Sequence, residues 1–328
     1  MLDIWPVLPF VIQLGPHESL FDLRNWEWQM ERADNIIAAL EHHERIPLIT
    51  ASHLLRPLSE RLAAGMCRPF PTLTSLQLSG VPQSQTRLPD LFLGGSAPHL
   101  RTLALIGISF PALPNLLLSA TDLVHLDLWN IPNSAYIPPD EMVVCLSTLT
   151  RLKTLYLGFC PRGIHGTSRP LPPLTRSVPL ALTTLWFSGH SEYLGDLISR
   201  IDAPQLNDID ITFSDLSPFS TPQFIQFINR TEIHNPFNRA IVRFFCNCVE
   251  VTLSSESLRV DRQSASRLRV SWEKPCWQIT FLLQFCRSSL PLPLFSIWNT
   301  LTSTTMRTNG DARRTLLSGW NFYACFPL

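Results

Sequence analysis

Leu123 to Leu128 reads LVHLDL, and the same phrase, LxxLxL, stands at Leu73 to Leu78 (LTSLQL), Leu100 to Leu105 (LRTLAL) and Leu152 to Leu157 (LKTLYL). Two degenerate copies follow, Leu182 to Phe187 (LTTLWF) and Leu206 to Ile211 (LNDIDI), and a weaker one precedes them at Ile46, Ile49 and Ala51. First anchors from Leu73 to Leu206 are separated by 27, 23, 29, 30 and 24 residues. That spacing brackets the period of roughly 20 to 29 residues of a leucine-rich repeat. In a strand, side chains alternate between faces, so the fourth and sixth positions of the phrase point inward while the third and fifth point outward. One such strand cannot bury its leucines alone, whereas parallel stacking of successive strands pools them into one core. The expectation is an α/β fold, an irregular leucine-rich-repeat solenoid with a curved parallel sheet and helices or turns on its convex side.

Segments between the phrases read as helices. Thr221 supplies a capping hydroxyl before Pro222, opening a helix over 222–229, and Pro139, Asp140 and Glu141 precede another over 142–149. Proline fits the first helical turn, where its missing N–H costs nothing, and acids suit the positive end of the helix dipole. Further helices are expected over 193–201, over 58–66 and, ahead of the array, over 33–43, where Ile36, Ile37 and Leu40 recur at helical spacing. After Ile211 the phrase fades into strand-like runs at 241–245, 249–253 and 268–272, then a helix-like run at 278–286, read together as a cap. The domain reading is a flanking segment over 1–45, the capped solenoid over 46–290 and an irregular tail over 291–328, outside the packed array.

Composition bounds the function. Of 328 residues, 45% are hydrophobic and 16% charged, a globular balance. Lys plus Arg and Asp plus Glu number 26 each and no stretch gathers one sign, so neither nucleic acid nor an anionic membrane is an expected partner. No apolar run approaches the roughly 20 residues that span a bilayer. The apolar start, Ile4 to Leu14, lacks a basic flank and is broken by Pro6 and Pro9, which argues against a signal peptide and for an intracellular protein, cytoplasmic or nuclear. The Asn229 sequon is then a chance match. The eight cysteines are scattered apart from Cys246 and Cys248, with no second ligand pair for zinc, and are expected as buried thiols.

On a concave face the outward fifth positions run Gln77, Ala104, Asp127, Tyr156, Trp186 and Asp210, and the seventh run Ser79, Ile106, Trp129, Gly158, Ser188 and Thr212. With strands ~4.8 Å apart, Tyr156 and Trp186 become neighbours with Trp129 close by, an exposed aromatic patch suited to holding a protein. Trp129, Tyr156, Trp186, Asp127 and Asp210 are therefore the expected partner-binding residues. No metal, cofactor or catalytic residue is expected. His42 and His43 sit in a polar turn at a helix end, and His125 occupies an outward third position without an evident triad partner. The chain has no GxxxxGK[ST], GxGxxG, GxSxG or HExxH motif, so a binding module is the expectation rather than an enzyme. The alternative is an enzyme of unknown class using acids on the concave face, with Asp208 and Asp210 side by side on one strand and Asp127 the further acid.

Four phrases carry a family resemblance: Leu2 to Ile12 (LDIWPVLPFVI), Leu93 to Pro98 (LGGSAP), Leu116 to Leu128 (LLLSATDLVHLDL) and Leu194 to Pro204 (LGDLISRIDAP). Over most of Leu2 to Leu253 the chain resembles the repeat region of fungal F-box-like leucine-rich-repeat proteins. The resemblance implies repeats that hold a substrate behind an F-box helical module that docks on a ubiquitin-ligase adaptor. This sequence contains the repeat region without that module and opens in what resembles the linker between the two, so docking on the adaptor requires an F-box upstream. A fragment that folds but has lost its role is a third reading.

Overall fold

The computed structural model describes residues 8–15, 26–81, 86–159, 181–214, 221–231, 239–244, 249–254, 267–272 and 321–324. They form an α/β protein in two compact units, one running to Thr183 and including Arg200–Ala203, the other comprising Thr184–Ser199 and the chain from Pro204.

The first unit is built on six strands, β1 (Val11–Leu14), β2 (Leu48–Leu54), β3 (Ser75–Gly80), β4 (Thr102–Ile106), β5 (His125–Ile131) and β6 (Thr154–Phe159). They pair in sequence order and all in parallel. Register follows the phrase: Ile49, Leu76, Leu103, Leu126 and Leu155 form one row and Ala51, Leu78, Leu105, Leu128 and Leu157 the next. Every one of these ten is at most 2% exposed. The weak copy at Ile46 is thus a full member of the array. β1 lies within the expected flanking segment, where Val11-Ile12-Gln13-Leu14 alternates and buries Ile12 and Leu14. It is fastened by Arg45, which donates to the Leu8 carbonyl and lies 5.2 Å from the centre of the Phe10 ring.

Parallel neighbours require crossovers. These contain α1 (Trp26–Leu40), α2 (Arg56–Gly65), α3 (Leu113–Ser119) and α4 (Pro139–Thr148). The last three carry proline in the first turn, at Pro57, Pro114 and Pro139, where the ring presets φ without losing an intrahelical bond. Their apolar faces are buried on the leucine side: Leu58 and Leu62 from α2, Leu116 and Leu117 from α3, Met142 and Leu146 from α4. α1 begins earlier than its periodicity suggests and ends at Leu40, beyond which His43–Arg45 tightens into a 3-10 turn. α3 is a helix that the repeat phrase alone did not reveal. Cys67 and Cys145 are free thiols, and burial, reinforced by the charge of Glu141, pushes Cys145 up to about 11. The other six cysteines lie outside the described residues.

The second unit contains β7 (Thr184–Gly189), α5 (Ser191–Arg200), β8 (Asp208–Phe213), α6 (Thr221–Arg230), β9 (Arg239–Phe244), β10 (Val249–Ser254), β11 (Arg267–Trp272) and β12 (Asn321–Ala324). β7 and β8 repeat the parallel register, with Leu185 against Ile209 and Phe187 against Ile211, all buried. The expected strands after Ile211 all form, but not in sequence order. β11 lies parallel to β8, and β10, β9 and β12 follow outward as antiparallel neighbours. β12 falls in the stretch expected to be irregular and outside the array, yet it pairs Phe322 with Val242 and Tyr323 with Ile241. The helix-like run at 278–286 lies outside the described residues.

Candidate functional site

The outward sides of β2 to β6 carry the polar and aromatic positions of the phrase. Their third positions, Ser75, Thr102, His125 and Thr154, stand in register, as do the fifth, Gln77, Ala104, Asp127 and Tyr156. The small Ala104 between Gln77 and Asp127 leaves a hollow of about 320 Å³, walled by Thr102, His125, Thr154 and Tyr156. Sequence reading placed every fifth position on this face but missed the hollow, whose signal is the single small residue in a row of larger ones.

Asp127 is one of the residues lining the hollow. Its backbone is fixed by pairing on both sides, opposite Ala104 on β4 and Tyr156 on β6. Its Oδ1 atom is sealed from solvent and has no hydrogen-bond donor among the described residues. Burial raises the carboxyl to about 6, because removing a charge from water without a partner favours the neutral form.

Trp129 takes its place through a bulge. Pairing of β5 with β6 passes from Leu128 opposite Leu157 to Ile131 opposite Phe159, so Trp129 and Asn130 together face Gly158. Asn130 adopts a φ of 54°, the left-handed turn that lets two residues oppose one. The indole lies on Gly158, so close that a methyl group there would be 2.6 Å from the ring, and Trp129 is still 39% exposed. Tyr136 and Phe159 pair nearby with ring centres 5.8 Å apart. β2 uses the same device, with the register shift between Ala51 and Leu54 and a φ of 55° at His53.

Of the five expected binding residues, the first unit thus holds Asp127, Tyr156 and Trp129. Trp186 and Asp210 belong to the second, directly opposite each other on β7 and β8, so Tyr156 and Trp186 fall in different units. Asp210, expected on the outward face, is only 7% exposed, and Arg269 bonds its Oδ2 at 3.1 Å while reaching buried Glu250 at 2.8 Å. Burial lifts the Asp210 carboxyl more than the arginines hold it down. Asp208 is held at both oxygens by Arg267, at 2.9 and 3.1 Å. The two acids considered for chemistry are therefore matched to two arginines on the next strand. The signal was in the sequence: Asp-Ile-Asp at 208–210 and Arg-Leu-Arg at 267–269 share the two-residue period of facing strands.

Among the described residues no group of three or more His, Cys, Asp and Glu is placed to hold a metal, and no helix is long and apolar enough to cross a membrane. His42 and His43 are half-buried at their turn, each edge-on to a phenylalanine, Phe10 and Phe70 respectively. Neither the protein-family models nor the curated proteins compared with this chain yield a match.

Proposed function

We propose that the chain is an intracellular leucine-rich-repeat protein whose outward strand face recognises another protein, the substrate-holding part of an F-box-type ubiquitin-ligase receptor. The observation that supports this most is the contrast between the two sides of the first unit's sheet. One side is closed by α2, α3 and α4 over fully buried leucines. The other presents Gln77, His125 and Tyr156 around a hollow of about 320 Å³, with the exposed Trp129 further along β5. β3 and β5 are paired on both sides, so Gln77 and His125 stand on a rigid base, and ordering them on binding costs little entropy. Tyr156 and the exposed Trp129 are the residue types that dominate interface energetics. Docking on a ligase adaptor belongs to an F-box module, and the repeat face serves as the receptor's other end.

A photo-reactive amino acid at Gln77, on the outward face, and at Val144, exposed on α4, tests the reading in the native cell. Irradiation is expected to give a protein adduct of defined mass from Gln77 and none from Val144, with Tyr156→Ala reducing the yield at least threefold. Equal labelling from both positions, or an adduct indifferent to Tyr156→Ala, overturns it.

A further inference from the structure

The second unit shows what this chain does with an aspartate at the fifth position of its phrase. Asp210 occupies that position on β8, and the residue directly opposite on β11 is Arg269, whose guanidinium bonds it. Asp127 occupies the same position on β5, and the residues directly opposite are Ala104 and Tyr156. No ion pair reaches Asp127 among the described residues, and its Oδ1 is sealed from water without a donor. Ala104, which stands where β11 has Arg269, itself lines the hollow. A buried carboxylate without a donor carries a desolvation penalty that a charged donor removes, and a cation seated there gains an interaction it cannot have in bulk water.

We infer that the hollow at Asp127 receives one arginine or lysine side chain of a protein partner, with Asp127 as its counter-charge and Thr102, Thr154 and Tyr156 as its walls. This rests on the recognition reading above and names the chemistry of what is recognised. Among the described residues that line the hollow, the titratable groups besides Asp127 are His125 on β5 and Tyr156 on β6, with no lysine or arginine. The partner supplies that charge.

The test uses a displayed library of random seven-residue peptides selected against the full chain. Peptides from the wild type are expected to carry Arg or Lys at one fixed position, and replacing that residue by norleucine is expected to abolish binding. The nearly isosteric Asp127→Asn, confirmed as folded by circular dichroism, is expected to bind the selected peptide roughly ten- to a hundredfold more weakly, the range for losing a charge-assisted bond. Ala104→Arg, which supplies the cation internally as Arg269 does for Asp210, is expected to bind it as weakly. Selected peptides without a fixed basic position, undiminished binding by Asp127→Asn, or a library that yields no binder overturns the inference. The Gln77 adduct does not depend on charge. If it persists when the peptide test fails, only the basic-side-chain inference falls; if it is also lost, the recognition reading falls too.

Discussion

Asp127 is held among apolar and weakly polar neighbours by a ladder that cannot release it, and that has a thermodynamic signature. Its folded carboxyl titrates at about 6, above the roughly 4 of an unfolded chain. The folded state therefore binds the proton more tightly, so stability falls as pH rises between those values and the penalty is fully present above them. Asp127→Asn is expected to stabilise the protein at pH 7 by roughly 1 kcal/mol, after discounting for the carboxyl's partial solvent access. The gain is expected to vanish at about pH 4, as urea titrations at the two pH values will measure. Arg269 carries the opposite expectation. Asp210 and Glu250 have side chains only 9% and 6% exposed, so Arg269→Met leaves two buried acids without their cation, at a cost of roughly 3 kcal/mol. The Asp210 carboxyl, already raised by burial, then loses the arginine that holds it down, so this loss is expected to shrink as pH is lowered, in the same titrations. The positions of Asp127 and Asp210 were legible from the period of the phrase. Their different fates were not, because they depend on which residue stands opposite, and pairing β8 with β11 skips two intervening strands.

Among the elements, the β5–β6 pair shows how a local irregularity sets a surface. The bulge at Trp129 and Asn130 requires a partner without a side chain, and Gly158 supplies it. Gly158→Ala is expected to cost about 2 kcal/mol through overpacking. Combining it with Trp129→Ser is expected to restore most of that loss, which a double-mutant cycle by thermal unfolding measures. The aromatic seventh position and the glycine beside it were both visible in the phrase, yet their contact was not. Sequence spacing assigns residues to faces, whereas a bulge adds a residue to one strand and slides everything beyond it. Helices were legible where proline and acids marked their starts, as at Pro139, and missed at Leu113–Ser119, a short apolar run whose period is hidden by Leu116, Leu117 and Leu118 in sequence.

At the scale of the whole chain, the aliphatic triplets explain the parallel strands of both units, each with its own buried rows. Such stacks are held by nearest neighbours, so damage to one rung spreads to the next before it spreads further. Leu155→Ala, at a site with no exposure, is expected to cost about 3–5 kcal/mol. Hydrogen exchange is expected to show amide protection lost first in β5 and β6, and a uniform loss along β1 to β6 would contradict nearest-neighbour stacking. What the triplets could not convey is where the repeating pattern stops and how the last rung is covered. That depends on β9 to β11, whose alternation marks them as strands but says nothing of their order.

The out-of-order placement of β11 also bears on how the protein is made. The open edge of β8 is closed by a strand that is synthesised after β9 and β10, once the chain has grown from Phe213 to Trp272. At about 5–20 residues per second, the backbone donors and acceptors of that edge stay unclaimed for about 3–12 seconds of translation. An uncovered strand is an invitation to another nascent chain, so misassembly during synthesis is expected to concentrate there, and slower decoding between codons 213 and 272 to lower the yield of native protein.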